Sequence, residues 1–90
     1  MNRISLDQIA AFLAVVRLGS VSKAAEMLLL TQPAVTSRVK NLEERLGKGL
    51  FDRTTAGLKL TKDGEMFLKY AERFEHLSEL VERNIVDPKG

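Results

Sequence analysis

The chain has 90 residues, 44% of them hydrophobic and 29% charged, with fourteen Lys and Arg against twelve Asp and Glu. This is the composition of one small globular domain, of a size often helped by self-association. The absence of cysteine and a single histidine, His76, exclude disulfides and a zinc site, and no apolar run approaches the roughly 18 residues that span a bilayer.

The charge is unevenly spread. Residues 1–62 carry ten Lys/Arg and five Asp/Glu, a net of +5, whereas residues 63–90 carry four and seven, a net of −3. A basic first part and an acidic last part suit one segment that faces a polyanion and another with a different task, although solvation alone would also explain them. The N-terminus, MNRISLDQ, lacks the apolar core of a signal peptide, so the expected location is the cytoplasm and, in a bacterium, the nucleoid.

Leu6 to Leu18 is the first predicted helix. Ser5 can cap it, Ile9, Phe12, Leu13 and Val16 form an i, i+3, i+4, i+7 stripe, and Gly19 ends it. Ser20 to Leu29 is a short second helix with Ser22 as its candidate N-cap. Ala24 and Ala25 allow close approach of another helix, and Met27 and Leu28 supply apolar contact. Leu29-Leu30-Thr31 then turns the chain into a third helix.

That third helix, Thr31 to Gly47, has two jobs written into it. Thr31 is an N-cap, Pro33 sits in the first turn where a missing N–H costs nothing, and Gly47 suits the left-handed position after the last turn. Val35, Val39, Leu42 and Leu46 make one apolar stripe. Pro33, Thr36, Ser37, Lys40 and Asn41 lie away from it, with Gln32 and Arg38 on its flanks. A short helix, a tight turn and a second helix with a polar, basic leading end is the helix-turn-helix pattern, in which the second helix can enter a DNA major groove.

Beyond Gly47 the periodicity changes. Leu50 to Thr54 and Leu58 to Thr61 alternate apolar and polar residues around Thr55-Ala56-Gly57, which predicts a β-hairpin with Phe51, Leu58 and Leu60 facing the core and Arg53 and Lys59 facing out. Such a hairpin is the wing of a winged helix-turn-helix. Thr61 caps a last helix that runs to about Val86, where Asp87-Pro88 stops it. Phe67, Tyr70, Phe74, Leu77 and Val81 recur at steps of three and four, an a/d seam of two heptads. It either packs wholly on its own domain or pairs in part with a second copy.

The ordered set Gly19-Ser20, Ala24-Ala25, Gln32 to Thr36, Leu42-Glu43, Leu46-Gly47, Leu50 to Arg53, and Leu60-Thr61 with Gly64 resembles the N-terminal domain of LysR-type transcriptional regulators. The resemblance covers essentially the whole chain. It implies a mainly α fold with a small β-hairpin: a winged helix-turn-helix over 4–61, with the helix-turn-helix at about 21–40 and the wing at about 50–61. A linker helix over 62–87 would follow, through which two subunits dimerise. The family's effector-binding domain is absent from this chain, so a small-molecule effector is expected only through that missing part, and no cofactor in this fragment.

By the same resemblance, Gln32, Pro33, Ala34, Thr36 and Ser37 approach bases or phosphates, while Ser22 and Arg53 meet the backbone or minor groove. Two positions depart from the family's common pattern. Many relatives have arginine where this chain has Ser37, and Arg38 comes one place later, about 100° further round the helix, where it is expected to reach a phosphate rather than a base. The wing tip, often basic, is Thr55-Ala56-Gly57 here, which leaves Arg53 and Lys59 to serve the wing.

Each residue has a plainer alternative. Gln32 can pair with adenine N6 and N7 or be a solvated first-turn residue, and Thr36 can meet a thymine methyl or a phosphate or lie idle on the surface. Lys40 can meet a phosphate or water. Arg53 can meet DNA or form an ion pair with Asp52 or Glu43. His76 reads as a solvated residue or a partner for a neighbouring glutamate.

The leading functional expectation is sequence-specific binding of double-stranded DNA by a homodimeric transcription regulator. A protein-interaction module that uses the last helix as its working face is the alternative, and the polar third helix argues against it, because a protein-binding face would be more aromatic. Nothing in the chain forms a nucleophile–base pair, a phosphate-cradling glycine loop or a metal cluster, so an enzyme is not expected.

Overall fold

The computed structural model describes residues 3–53 and 58–86. Three helices, α1 (Leu6–Leu18), α2 (Val21–Leu28) and α3 (Gln32–Leu46), precede a hairpin of β1 (Phe51–Asp52) and β2 (Lys59–Leu60). A long helix α4 (Lys62–Val81) follows and continues into a π-helical turn, Glu82–Val86. This is a winged helix-turn-helix with a long C-terminal helix. The hairpin tip, Thr54 to Gly57, lies outside the described residues.

Hydroxyl caps start the helices. Ser5 accepts from the Gln8 N–H, and the Gln8 side chain accepts in turn from the Ser5 N–H, each at 3.1 Å, a reciprocal capping box. Thr31 accepts from the Ala34 N–H at 3.2 Å and Thr61 from the Gly64 N–H at 3.0 Å. For α2 the cap is Ser20, which accepts from the Lys23 N–H at 3.1 Å; Ser22, expected there, lies inside the first turn. The reason is backbone geometry. Gly19 takes the left-handed conformation that closes α1, and Ser20 follows it in the extended conformation that a cap requires.

α1 runs through the centre of the body. Phe12 is fully buried, with the Phe51 ring 5.5 Å away and the Phe67 ring edge-on at 5.1 Å. Ala11, Ala14, Ala24, Ala25 and Ala71 are buried around it, so the small side chains let the helices approach closely. Val35, Val39 and Leu42 complete the core from α3, as their spacing predicts. Met27 is 59% exposed and adds little to it.

The hairpin pairs Phe51 with Leu60 and Asp52 with Lys59 in antiparallel register. Phe51 is buried and Leu60 partly so, whereas Leu58, expected to face the core, sits at its margin. Just beyond β2, the Thr61 N–H donates to the Leu50 carbonyl at 3.0 Å and the Thr61 hydroxyl to the Gly49 carbonyl at 2.7 Å. The first turn of α4 therefore lies directly on the Leu50 backbone. A Cβ at Gly64 would collide with the Leu50 carbonyl oxygen, which explains the glycine three residues after the cap.

α4 leaves the body as it proceeds. Gly64, Phe67 and Ala71 are its buried residues. Phe67 thus belongs to the core of its own chain, so of the seam residues offered for pairing with a second copy it is the one already covered. Tyr70, Phe74, Leu77 and Val81 are about half exposed, and Met66 joins them on the same face. Met66 and Tyr70 sit level with the buried Phe67 and Ala71 and are exposed because they lie about 100° round the helix from them. Phe74, on the side of Phe67 but one heptad on, only borders a cleft with Leu6, Ile9 and Leu13 of α1. Higher up, Arg17 at the end of α1 holds α4 through a bidentate pair with Glu75, at 2.7 and 2.8 Å.

Candidate nucleic-acid interface

α3 presents its polar side to solvent. Gln32, Pro33, Ser37, Lys40 and Asn41 are exposed, while Ala34 and Thr36 are partly buried. The face starts at the helix N-terminus, where free backbone N–H groups and the positive end of the helix dipole favour an anion. The first turn carries no acidic residue. Lys40 makes no ion pair among the described residues, so its charge projects into water one turn further along. Ser22 is exposed on α2.

Two of the expected site residues are engaged within the chain. Arg38 lies toward α1, with its guanidinium 3.9 Å from Asp7, a long contact to a largely exposed carboxylate that leaves the arginine only loosely held. Arg53 donates through Nη2 to Oε1 of Glu43 at 2.9 Å. Of the two carboxylates weighed for that arginine, Glu43 is the one recorded in contact with it. Arg53 nonetheless keeps 49% of its side chain exposed. Thr36 lines a small cleft beneath the hairpin with Val39, Phe51, Arg53 and Leu58, so it faces the wing more than open water.

Helix and wing therefore meet at Arg53, which, instead of facing out with Lys59 as expected, lies on the Phe51 side of the hairpin beside Thr36 and Glu43 of α3. Lys59 is exposed and pairs with Asp52 across the hairpin. Among the described residues, no group of three His, Asp or Glu could hold a metal ion, and no helix is long and apolar enough to cross a membrane. The part that sequence reasoning missed is the second role of Glu43, which it weighed only as a partner for Arg53. Oε2 of its carboxylate also accepts from the backbone N–H groups of Leu50 at 2.7 Å and Phe51 at 3.3 Å. Its place in the Leu42-Glu43 pair marks it, but a glutamate followed by Glu44 on a helix gives no hint that the chain seven residues later returns to it.

Comparison with known proteins supplies the remaining observations. A family model described as bacterial regulatory helix-turn-helix protein, lysR family, matches residues 6–65. The chain is 49% identical over 82 residues to the HTH-type transcriptional regulator YofA of Bacillus subtilis, covering 88% of this chain and 29% of that protein. It is 45% identical over 83 residues to a probable RuBisCO transcriptional regulator of Cyanidioschyzon merolae, covering 92% of this chain and 27% of that one. The chain thus spans less than a third of the length of these relatives. Among solved structures it resembles a BenM_DBD/catB site 1 DNA complex, with TM-score 0.82 and 32% identity over 96% of this chain and 98% of that one. It also resembles Vibrio fischeri DarR in complex with DNA, with TM-score 0.87 and 31% identity over 97% of this chain and 30% of that one. The architecture, the motif order and these likenesses agree: the chain belongs to the lysR family of bacterial regulatory helix-turn-helix proteins.

Proposed function

We propose that this chain binds double-stranded DNA sequence-specifically, as the DNA-binding domain of a transcription regulator, and that it does so as a homodimer. The observation that carries the reading is the exposed, polar leading end of α3 with Arg53 of the wing beside it, on a fold whose solved relatives include DNA complexes. Gln32 reads a base edge in the major groove. Pro33, Ala34, Thr36 and Ser37 allow close approach or meet the sugar-phosphate backbone. Ser22, Arg38, Lys40 and Arg53 meet phosphates. Asp7 yields Arg38 readily, because a 3.9 Å pair to an exposed carboxylate is weak.

Pairing of two copies through α4 explains why Tyr70, Phe74, Leu77 and Val81 stay about half exposed in a single chain. Residues 4–61 form the DNA-reading unit and 62–87 the pairing helix. The regulator acts in the cytoplasm, on the nucleoid, and an effector would bind a part of it outside this chain, whose relatives are more than three times as long.

Titration of a mixed-sequence duplex at several salt concentrations tests the reading. Affinity should fall steeply and linearly on a log–log plot, and Lys40→Ala should reduce the slope by about one. Binding that ignores salt, or a slope unchanged by loss of Lys40, would contradict it.

A further inference from the structure

Glu43 is a largely buried carboxylate at the junction of helix and hairpin. Its side chain is only 13% exposed and it takes three donors: the N–H groups of Leu50 and Phe51 and the guanidinium of Arg53. The first two belong to the backbone entering β1, and the third to the side chain that follows it. Each strand is two residues long, and a two-stranded hairpin is marginal by itself. The ladder alone therefore does not set how the wing stands on α3. Leu50 is held from both sides instead, by Glu43 at its N–H and by Thr61 at its carbonyl.

The following rests on the reading that Arg53 meets a DNA phosphate. We propose that Glu43 is the positioning residue of the wing: it seats the hairpin on the recognition helix and aims Arg53 at the duplex instead of competing for it. A guanidinium has five N–H donors in a rigid fork, and the bond from Nη2 leaves the others for a phosphate. The half-exposed Arg53 side chain reaches solvent while still held. A carboxylate that merely competed with phosphate would act with the opposite sign.

The experiment compares the chain with Glu43→Gln, Glu43→Asp, Arg53→Ala and the Glu43→Gln/Arg53→Ala double variant on a mixed-sequence duplex, with amide exchange read in parallel. Glutamine matches glutamate in size but offers one acceptor oxygen to three donors. Glu43→Gln should weaken binding about tenfold, and Arg53→Ala should do the same while lowering the salt slope by about one. The double variant should lose less than the two losses combined, because part of the Glu43 effect runs through Arg53. Leu50 and Phe51 amides should exchange faster in Glu43→Gln, while those of Val35 and Val39 stay protected. Glu43→Asp, which keeps the charge but shortens the reach, should fall between wild type and Glu43→Gln and guards against a simple folding defect.

Tighter binding by Glu43→Gln or Glu43→Asp would overturn the inference, because Glu43 would then be a competitor, and the phosphate role of Arg53 would stand. An Arg53→Ala variant with unchanged affinity and slope would instead remove the DNA reading of Arg53, and the inference with it.

Discussion

α3 and α4 are both amphipathic, yet they end in opposite conditions. Val35, Val39 and Leu42 of α3 are at most 4% exposed, and what the helix shows to water is Gln32, Pro33, Ser37 and Lys40. α4 buries Gly64, Phe67 and Ala71 on one side and shows Met66, Tyr70, Phe74, Leu77 and Val81. One helix has its hydrophobic demand met inside the chain and offers a polar surface. The other carries unmet hydrophobic demand away from the body. On the function proposed above, each exposed face has a partner of matching chemistry: a hydrated polyanion for α3, a second apolar helix for α4.

Geometry puts the boundary there. Twenty residues make α4 about 30 Å long. The other elements are shorter, and the molecule measures 48 × 26 × 25 Å, so the helix outruns the core that covers its first turns.

Two substitutions on α4 break the comparison most forcefully. Phe67→Ala removes a ring packed edge-on against Phe12 and should cost about 3–4 kcal/mol of folding stability, measured by denaturant unfolding. Gly64→Ala should cost a similar amount, because the Leu50 backbone has to move. Leu77→Asp, ten residues above Phe67 and 59% exposed, should leave the single chain folded but weaken self-association about 100-fold, seen by sedimentation. Equal effects of Phe67→Ala and Leu77→Asp on folding would erase the distinction between the two ends of α4.

A smaller effect lies in the turn before α3. Leu29 holds φ at 57°, in the left-handed region, and is 91% exposed, so the strain of a branched side chain there is not offset by burial. Leu29→Gly should raise stability by about 1 kcal/mol, read as a higher melting temperature, without altering the duplex affinity.

The smallest effect belongs to the strap between α1 and α4. The hydrogen bond from Arg17 and, secondarily, its charge hold the Glu75 carboxyl below the ordinary glutamate range. A lowered folded-state value contributes stability that is complete above the ordinary value of about 4.3 and is lost as pH falls through the lowered one. Both side chains are more than a third exposed, so solvent screening holds the contribution to about 0.5 kcal/mol. Glu75→Gln should therefore be slightly less stable than wild type at neutral pH and indistinguishable from it in acid, as thermal melts against pH would record.

Much of this was legible in the residues. The stripe through Val35, Val39 and Leu42, the caps Thr31 and Thr61, and the glycines Gly19 and Gly47 are local signals, and local physics decides them. What escaped depends on distant partners. Ser20 and Ser22 are chemically equal as caps, and only the exit of the chain from α1 selects the first. Phe67 and Phe74 are one heptad apart and indistinguishable by spacing; Phe67 packs edge-on against Phe12, whereas Phe74 only borders a cleft with Leu6, Ile9 and Leu13 of α1 and stays 46% exposed. The site divided in the same way. Helix periodicity turned Pro33, Ser37 and Lys40 outward, but it turned Thr36 outward as well, which lies partly buried under the hairpin, and the clasp of Glu43 on β1 needed the return of the chain.

Selection of bound duplexes from a random pool by this 90-residue chain, at near-physiological salt, tests most directly the claim that α3 reads DNA while α4 pairs two copies. The predicted result is an inverted-repeat consensus with half-site centres one helical turn, about 34 Å, or a multiple of it apart. Gln32→Ala should relax the preference at one position of each half-site. Enrichment of a single half-site would contradict pairing through α4, and a pool no richer than non-specific binding would contradict the assignment of α3 as the reading helix.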